Sequence, residues 1–379
     1  MKTKNKIAVI GPVYPYKGGI SHYTGLLYRA LRKSHDVEMI SYKMQYPKLM
    51  LRREQKDYSN DSFQVEDAKF LIHTANPFNW VKTAGQIKKM SVQTVIIEWW
   101  HPYFAPCYYV LEKLLRHKDQ RKLVFICHNV FPHERFPLDR MLTRMVLKQG
   151  DGFILHSRTE ADDLISIKPD ADYRVQVHPT YNAFKFEDLS KEQARDLLGL
   201  GAEEKVLLFF GYVRPYKGLK YLIQALPQIQ ERLQNVKLMV VGDFGSDREQ
   251  YQQLIEDLGI QDKILVKDGY TPDREVERYF AASDLVVLPY ETATQSGIVQ
   301  IAYGFTKPVI VTNVGGLPEV VTDDRTGLIV EPKDVNGLAD AIIRYYEGNR
   351  EQEFITHIRE EEYRFSWDRM TETIESFEA

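Results

Sequence analysis

Along the chain, short charge-poor apolar runs alternate with longer stretches whose apolar residues recur at helical spacing. Leu285 to Leu288, stopped by Pro289, and Val309 to Thr312, preceded by Lys307-Pro308, predict parallel strands buried on both faces. Between them a small-residue loop, Thr292 to Gly297, opens onto an apolar helix, and after them come Asn313, Gly315 and Gly316. Two strand ends thereby present main-chain N–H groups at neighbouring helix starts, the arrangement with which α/β folds hold phosphate.

The same alternation runs from end to end. Lys6 to Ile10, Thr94 to Glu98, Lys122 to Cys127, Phe153 to Leu155 and Arg174 to His178 read as one set of strands. Val206 to Phe210, Lys237 to Val241, Ile264 to Val266, 285–288, 309–312 and 326–330 read as a second. Helical spacing follows most of them, as in Leu219, Leu222, Ile223, Leu226 and Ile229, and Thr271-Pro272 reads as the N-cap and first residue of a helix to Ala281. The pattern pauses at about residues 179 to 188, which marks a linker. It predicts an α/β protein of two doubly wound domains, 1–183 and 184–360, with a terminal segment 361–379 whose Trp367 helix packs back toward the first.

Composition adds compartment and charge. With 379 residues the chain accommodates two domains, each with its own core. Cys107 and Cys127 are too few for a disulfide framework, and MKTKNKIAVIGP has only four apolar residues before Gly11-Pro12, so it reads as a first strand and no signal peptide. A reducing, cytoplasmic location is expected. The net charge of −3 hides a division: residues 1–183 carry 28 Lys+Arg against 18 Asp+Glu, or +10, and the remainder 22 against 35, or −13. A basic first half suits either attraction to the acidic second half or an anionic partner such as the inner face of a membrane. Residues 43 to 56 interleave Lys43, Lys48, Arg52, Arg53 and Lys56 with Leu49, Met50 and Leu51; most such clusters are solvated faces, and the interleaving also admits peripheral lipid contact. No nucleic-acid module appears, so nucleic acid is not an expected partner.

Candidate chemistry sits at the strand ends. After Val206–Phe210, Gly211 leads to Arg214, Lys217 and Gly218; a guanidinium fork and an ammonium there suit a diphosphate. Gly18 and Gly19 open the first helix and permit close main-chain approach, while the absence of G-x-G-x-x-G argues against a dinucleotide cofactor. His128 and Asn129 end one strand, before a loop VFPHERFP, and Trp99, Trp100 and His101 end its neighbour as a possible stacking wall. Asp170-Ala-Asp172 spells D-x-D but lies in a polar turn, and no metal site is expected.

GGIS at 18–21, CHN at 127–129, GYVRPYKG at 211–218, PYETATQSG at 289–297, NVGGLPEVV at 313–321 and the terminal Trp helix, in this order, make the chain resemble glycosyltransferase family 4. Those are group 1 retaining transferases with the GT-B fold of two facing Rossmann-like domains. The resemblance implies that the first domain binds a glycan or lipid-linked acceptor and the second a nucleoside diphosphate sugar, used as substrate with no other cofactor. Arg214, Lys217, His128 and Glu291 would serve catalysis; Gly18, Gly19, Gln295, Ser296, Gly297, Ile298, Gln300 and Glu319 would join Arg214 and Lys217 around the donor. Two departures stand out: Tyr212 occupies the place after Gly211 where the family commonly has Arg, and the Glu, seven residues, Glu pattern starting at Glu291 reaches Val299, with Gln300 adjacent. The implied setting is cell-surface polysaccharide or glycolipid synthesis. The broken pattern keeps open a non-catalytic sugar-nucleotide binder, and the fold keeps open a sugar-nucleotide epimerase.

Overall fold

The computed structural model describes residues 5–50, 54–58, 61–116, 121–132 and 136–377. Leu51, Arg52 and Arg53 of the basic segment and His133, Glu134 and Arg135 of the loop after Asn129 lie outside the described residues. Two compact units emerge, one made of 1–177 with 367–379, the other of 178–366. Each is a parallel sheet with helices on both faces.

In the first unit the strands are β1 (Lys6–Ile10), β2 (Asp36–Met44), β3 (Lys69–His73), β4 (Thr94–Trp99), β5 (Lys122–Cys127), β6 (Gly152–Leu155) and β7 (Tyr173–Val175). They run β3-β2-β1-β4-β5-β6-β7, so the winding direction reverses between β1 and β4. Two of these strands have no counterpart in the pattern read above. β2 interleaves Asp36, Glu38 and Lys43 with its apolar residues, and β3 is a partly exposed edge strand, so neither forms a charge-free run. The helix Trp367–Glu375 belongs to this unit: its Met370 and Ile374, with Phe377 just beyond, are buried in one cluster with Tyr23, Leu27 and Leu31 of the helix Gly19–Leu31.

The second unit holds β8 (Lys205–Phe210), β9 (Val236–Gly242), β10 (Ile264–Asp268), β11 (Leu285–Leu288), β12 (Val309–Thr312) and β13 (Gly327–Val330). Their order, β10-β9-β8-β11-β12-β13, puts the reversal between β8 and β11. At such a point the loops after the two strands part to opposite faces and leave a crevice outside the carboxyl ends. The helix beginning near Thr271 starts one residue later than its sequence suggests. Pro272, extended at φ −59 and ψ 147, is the N-cap of Asp273–Ala282 and makes no side-chain cap, because its ring carries no acceptor.

A buried carboxylate ties the segment after the linker to this sheet. Asp284 accepts two hydrogen bonds from Arg195 Nη2 at 3.0 and 3.1 Å and one from the Val206 N–H at 2.6 Å, and Lys191 pairs with it. Glu277 similarly accepts from the N–H groups of Phe186, Glu187 and Leu189 at 2.7–2.8 Å. Removing one partner of such a buried pair strands the other's charge. Asp284→Ala should therefore lower unfolding free energy by about 3–5 kcal/mol in urea titration; a loss under about 1 kcal/mol would show the network to be incidental.

Candidate functional site

Arg214 and Lys217 follow β8, and the loop 289–297 follows β11, so both flank the reversal of the second sheet. Gly218 brings them together. It sits at φ 67, and a Cβ there would stand 1.9 Å from the Pro289 carbonyl oxygen, a clash that no side-chain adjustment relieves. Gly315 does the same for the next loop: at φ 52 its Cβ would lie 1.6 Å from Ala293 O, and the following Gly316 N–H donates to Thr294 O at 2.8 Å. Three strand-to-helix turns are thus packed main chain against main chain.

On this platform Lys217 Nζ lies beside Gly211 and 5.4 Å from the centre of the Tyr290 ring. The Tyr290 hydroxyl is 3.2 Å from Ser296 Oγ, and Ser296 caps the helix Gly297–Gly304 by accepting from the Ile298 N–H at 3.3 Å. The ammonium therefore faces a helix N-terminus, whose unpaired N–H groups carry partial positive charge. Arg214 donates from Nη1 to Val213 O at 2.7 Å, and its guanidinium lies 5.6 Å from the Tyr212 ring centre. Both cations are half-buried, and neither has a carboxylate partner among the described residues.

Glu291 is differently placed. Oε1 accepts from Tyr221 Oη at 2.9 Å and pairs with Lys220 at 3.0 Å, while Oε2 pairs with Lys333 at 3.2 Å. The Lys220 hydrogen bond is the chief cause holding this carboxyl down near 2. Gln300, 1% exposed, packs toward the linker, its carbonyl accepting from the Tyr181 N–H and its Oε1 finding no partner among the described residues. Gln295 and Ile298 are half-buried on either side of the exposed Gly297. Glu319 lies on the short helix Leu317–Val320, where its main-chain carbonyl accepts from Arg364. The structure thus gathers Lys217 and Ser296 around Tyr290 at the start of the helix from Gly297, sets Arg214 against Tyr212 and Gly245, and gives Glu291 and Gln300 other neighbours. Tyr290, which bridges Lys217 and Ser296, escaped the sequence reading because it stands beside Pro289 as an ordinary strand end.

In the first unit, Gly18 and Gly19 are exposed at the start of the helix Gly19–Leu31, with open space where a Cβ would be. His128 is 4% exposed. Its Nε2 lies 2.7 Å from Glu98 Oε2, and its ring meets Tyr23 edge-on at 4.7 Å and His156 at 5.5 Å. Burial raises the Glu98 carboxyl well above its ordinary range and lowers both imidazoles to about 3, so burial favours the neutral form of each group. Trp99 donates to Val130 O, Trp100 to Tyr46 Oη, and His101 accepts from the Tyr103 N–H, so these residues bind to their own unit. Asp170 and Asp172 pair with Lys168 and Arg174. Among the described residues no group of three or more His, Cys, Asp or Glu side chains is spaced to hold a metal ion.

Residues 190–361 match the sequence model of the glycosyl transferases group 1. A D-inositol 3-phosphate glycosyltransferase of Mycobacteroides abscessus is 36% identical over 205 residues, 52% of this chain and 45% of that protein. One of Saccharomonospora viridis is 30% identical over 243 residues, 60% of this chain and 55% of that protein. The chain spans about half the length of the curated relatives it matches. Among solved structures, a sucrose-phosphate synthase of Thermosynechococcus elongatus superposes with a TM-score of 0.74 at 19% identity, covering 98% of both chains. HepE of Anabaena, solved in complex with UDP, gives 0.73 at 19% identity, again over 98% of both. The fold is the GT-B fold of two Rossmann-like units, and the likeness to the group 1 glycosyl transferases lies in residues 190–361 of the second.

The buried imidazoles carry a pH signature. Below their ordinary value of 6.5 the unfolded chain takes up protons that the folded unit refuses down to about 3. Their stabilisation is complete above pH 6.5 and is lost as pH falls, by at most about 1.4 kcal/mol per unit for each ring. Glu98 and Glu160, raised by burial, act in the opposite sense, so the informative quantity is the difference between variant and parent. His156→Gln, which keeps a donor for Gln176 O, should flatten the fall in melting temperature between pH 6 and 4 relative to the parent; parallel curves would contradict neutral burial.

Proposed function

We propose that the protein transfers a glycosyl group, with retained configuration, from a nucleoside diphosphate sugar to a hydroxyl of a glycan or lipid-linked acceptor in cell-surface polysaccharide or glycolipid synthesis. The observation that carries this reading is two half-buried cations without a carboxylate partner among the described residues, Lys217 beside the N-terminus of Gly297–Gly304 and Arg214 on the same turn after β8. A diphosphate supplies the missing negative charge. In the reaction the bond from the anomeric carbon to the diphosphate oxygen breaks, a bond to the acceptor oxygen forms on the same face, and the acceptor proton passes to the departing phosphate. Arg214, Lys217 and the main-chain N–H of Gly297 stabilise the charge that develops on the leaving group. Because these groups belong to the chain, the step requires no metal ion. The open Gly18–Gly19 turn is assigned to main-chain approach to substrate and His128 to the reacting sugar. Gln295, Ile298, Gln300 and Glu319 are assigned to the surroundings of the donor.

UDP in the HepE complex supports UDP-sugars as the first donors to test, and the named relatives place an inositol phosphate in the acceptor panel. Glu291, held by Lys220 and Lys333, favours one rival: a binder that holds the donor without turning it over. Product analysis across acceptors separates them, since a binder releases neither free sugar nor glycoside.

Charge-assisted bonds contribute roughly 1.5–3 kcal/mol each. Arg214→Ala and Lys217→Ala should each lower turnover by about 10² or more; near-parental kinetics in both would remove the assignment. Activity should persist in excess chelator, and a strict Mg²⁺ or Mn²⁺ requirement would contradict the metal-free step.

A further inference from the structure

The two most exposed large apolar side chains among the described residues are Leu49 at 91% and Phe78 at 90%. Both belong to the first unit, and both emerge at one corner of its sheet. Leu49 lies in the turn Pro47–Met50 after β2, closed by the Met50 N–H donating to Pro47 O at 2.9 Å. Phe78 lies in the first turn of the helix Pro77–Lys89 after β3, the strand beside β2. The two segments are joined at their roots: Thr74 Oγ1 donates to Gln45 O at 2.7 Å, and the Thr74 N–H to Met44 O at 3.2 Å. Met50 and Val81 add exposed apolar surface on the same turns.

Phe78 is held firmly in its exposed position. Asn76 caps its helix by accepting from the Asn79 N–H, Asn79 Nδ2 donates to Leu71 O at 3.0 Å, and Trp80 Nε1 donates to His73 O at 3.0 Å. Charge lies near the apolar tips: residues 43–50 and 74–87 carry Lys43, Lys48 and Lys82 and no acidic residue. None of the three lysines has an ion-pair partner among the described residues. A second folded protein of ordinary surface would leave three ammonium groups unanswered, whereas an anionic bilayer answers all of them and accepts the apolar tips below its headgroups.

We propose that this corner of the first unit docks on an anionic membrane surface, with Leu49, Met50, Phe78 and Val81 entering the interface and the lysines paired to lipid phosphates. Among the described residues no helix is long and apolar enough to cross a membrane; the contact proposed is a peripheral one, made by side chains at the interface. The inference is independent of the sugar-transfer reading, since every residue it uses lies in the first unit.

Co-sedimentation of the full chain with phosphatidylcholine vesicles containing about one-third phosphatidylglycerol, and with phosphatidylcholine alone, tests it. Binding is expected to the anionic vesicles only and to weaken with added salt. Leu49→Ser with Phe78→Ser should reduce partitioning by about tenfold or more, as should Lys48→Glu with Lys82→Glu. These side chains contact solvent, so parental melting temperatures are expected. The parent's dependence on lipid charge and salt does not rely on any variant folding. Equal binding to both vesicle types, no binding to either, or unchanged partitioning of both variants overturns the proposal. So does sedimentation equilibrium showing a dimer that Phe78→Ser dissolves, which would make the corner a self-interface.

Discussion

Positive charge without an internal counter-charge, held half-buried where the second sheet reverses direction, is the constraint on which the site depends. The second unit is rich in carboxylates, yet those described nearby are spent on other tasks. Glu291 answers Lys220 and Lys333, and Asp268 answers Arg248. Arg214 and Lys217 have no carboxylate partner among the described residues.

The first unit treats charge in the opposite manner. Its interior titratable groups, Glu98, Glu112, His128 and His156, are shifted toward their neutral forms by burial, and much of its net positive charge is carried by exposed lysines. One unit therefore offers localised charge in a crevice, suited to a small, doubly charged group. The other offers dispersed charge around apolar tips, suited to an extended anionic surface.

Much of this was legible in the chain itself. β1, β5, β11 and β12 have the same limits as the apolar runs, because strands buried on both faces confine charge to their ends, as Lys6 and Lys122 show. β2 and β3 were not legible, since charge punctuates one and the other is a half-exposed edge. At the site, Arg214, Lys217, Ser296 and Gly297 could be found from local order alone, being cations and small residues directly after strands. The engagement of Glu291 could not, because Lys333 arrives from the turn after β13. Nor could the Glu98–His128 pair, which depends on β4 and β5 aligning in a register that places Glu98 opposite Ile126.

The most direct test of the central claim follows main-chain amide resonances of the full chain as UDP is added. The account predicts saturable shifts at Gly297, at Gly211 through Gly218 and at Gly315-Gly316, with the Gly297 N–H moving most as it meets phosphate oxygen. Saturable binding that leaves those amides unmoved and shifts others instead would contradict it.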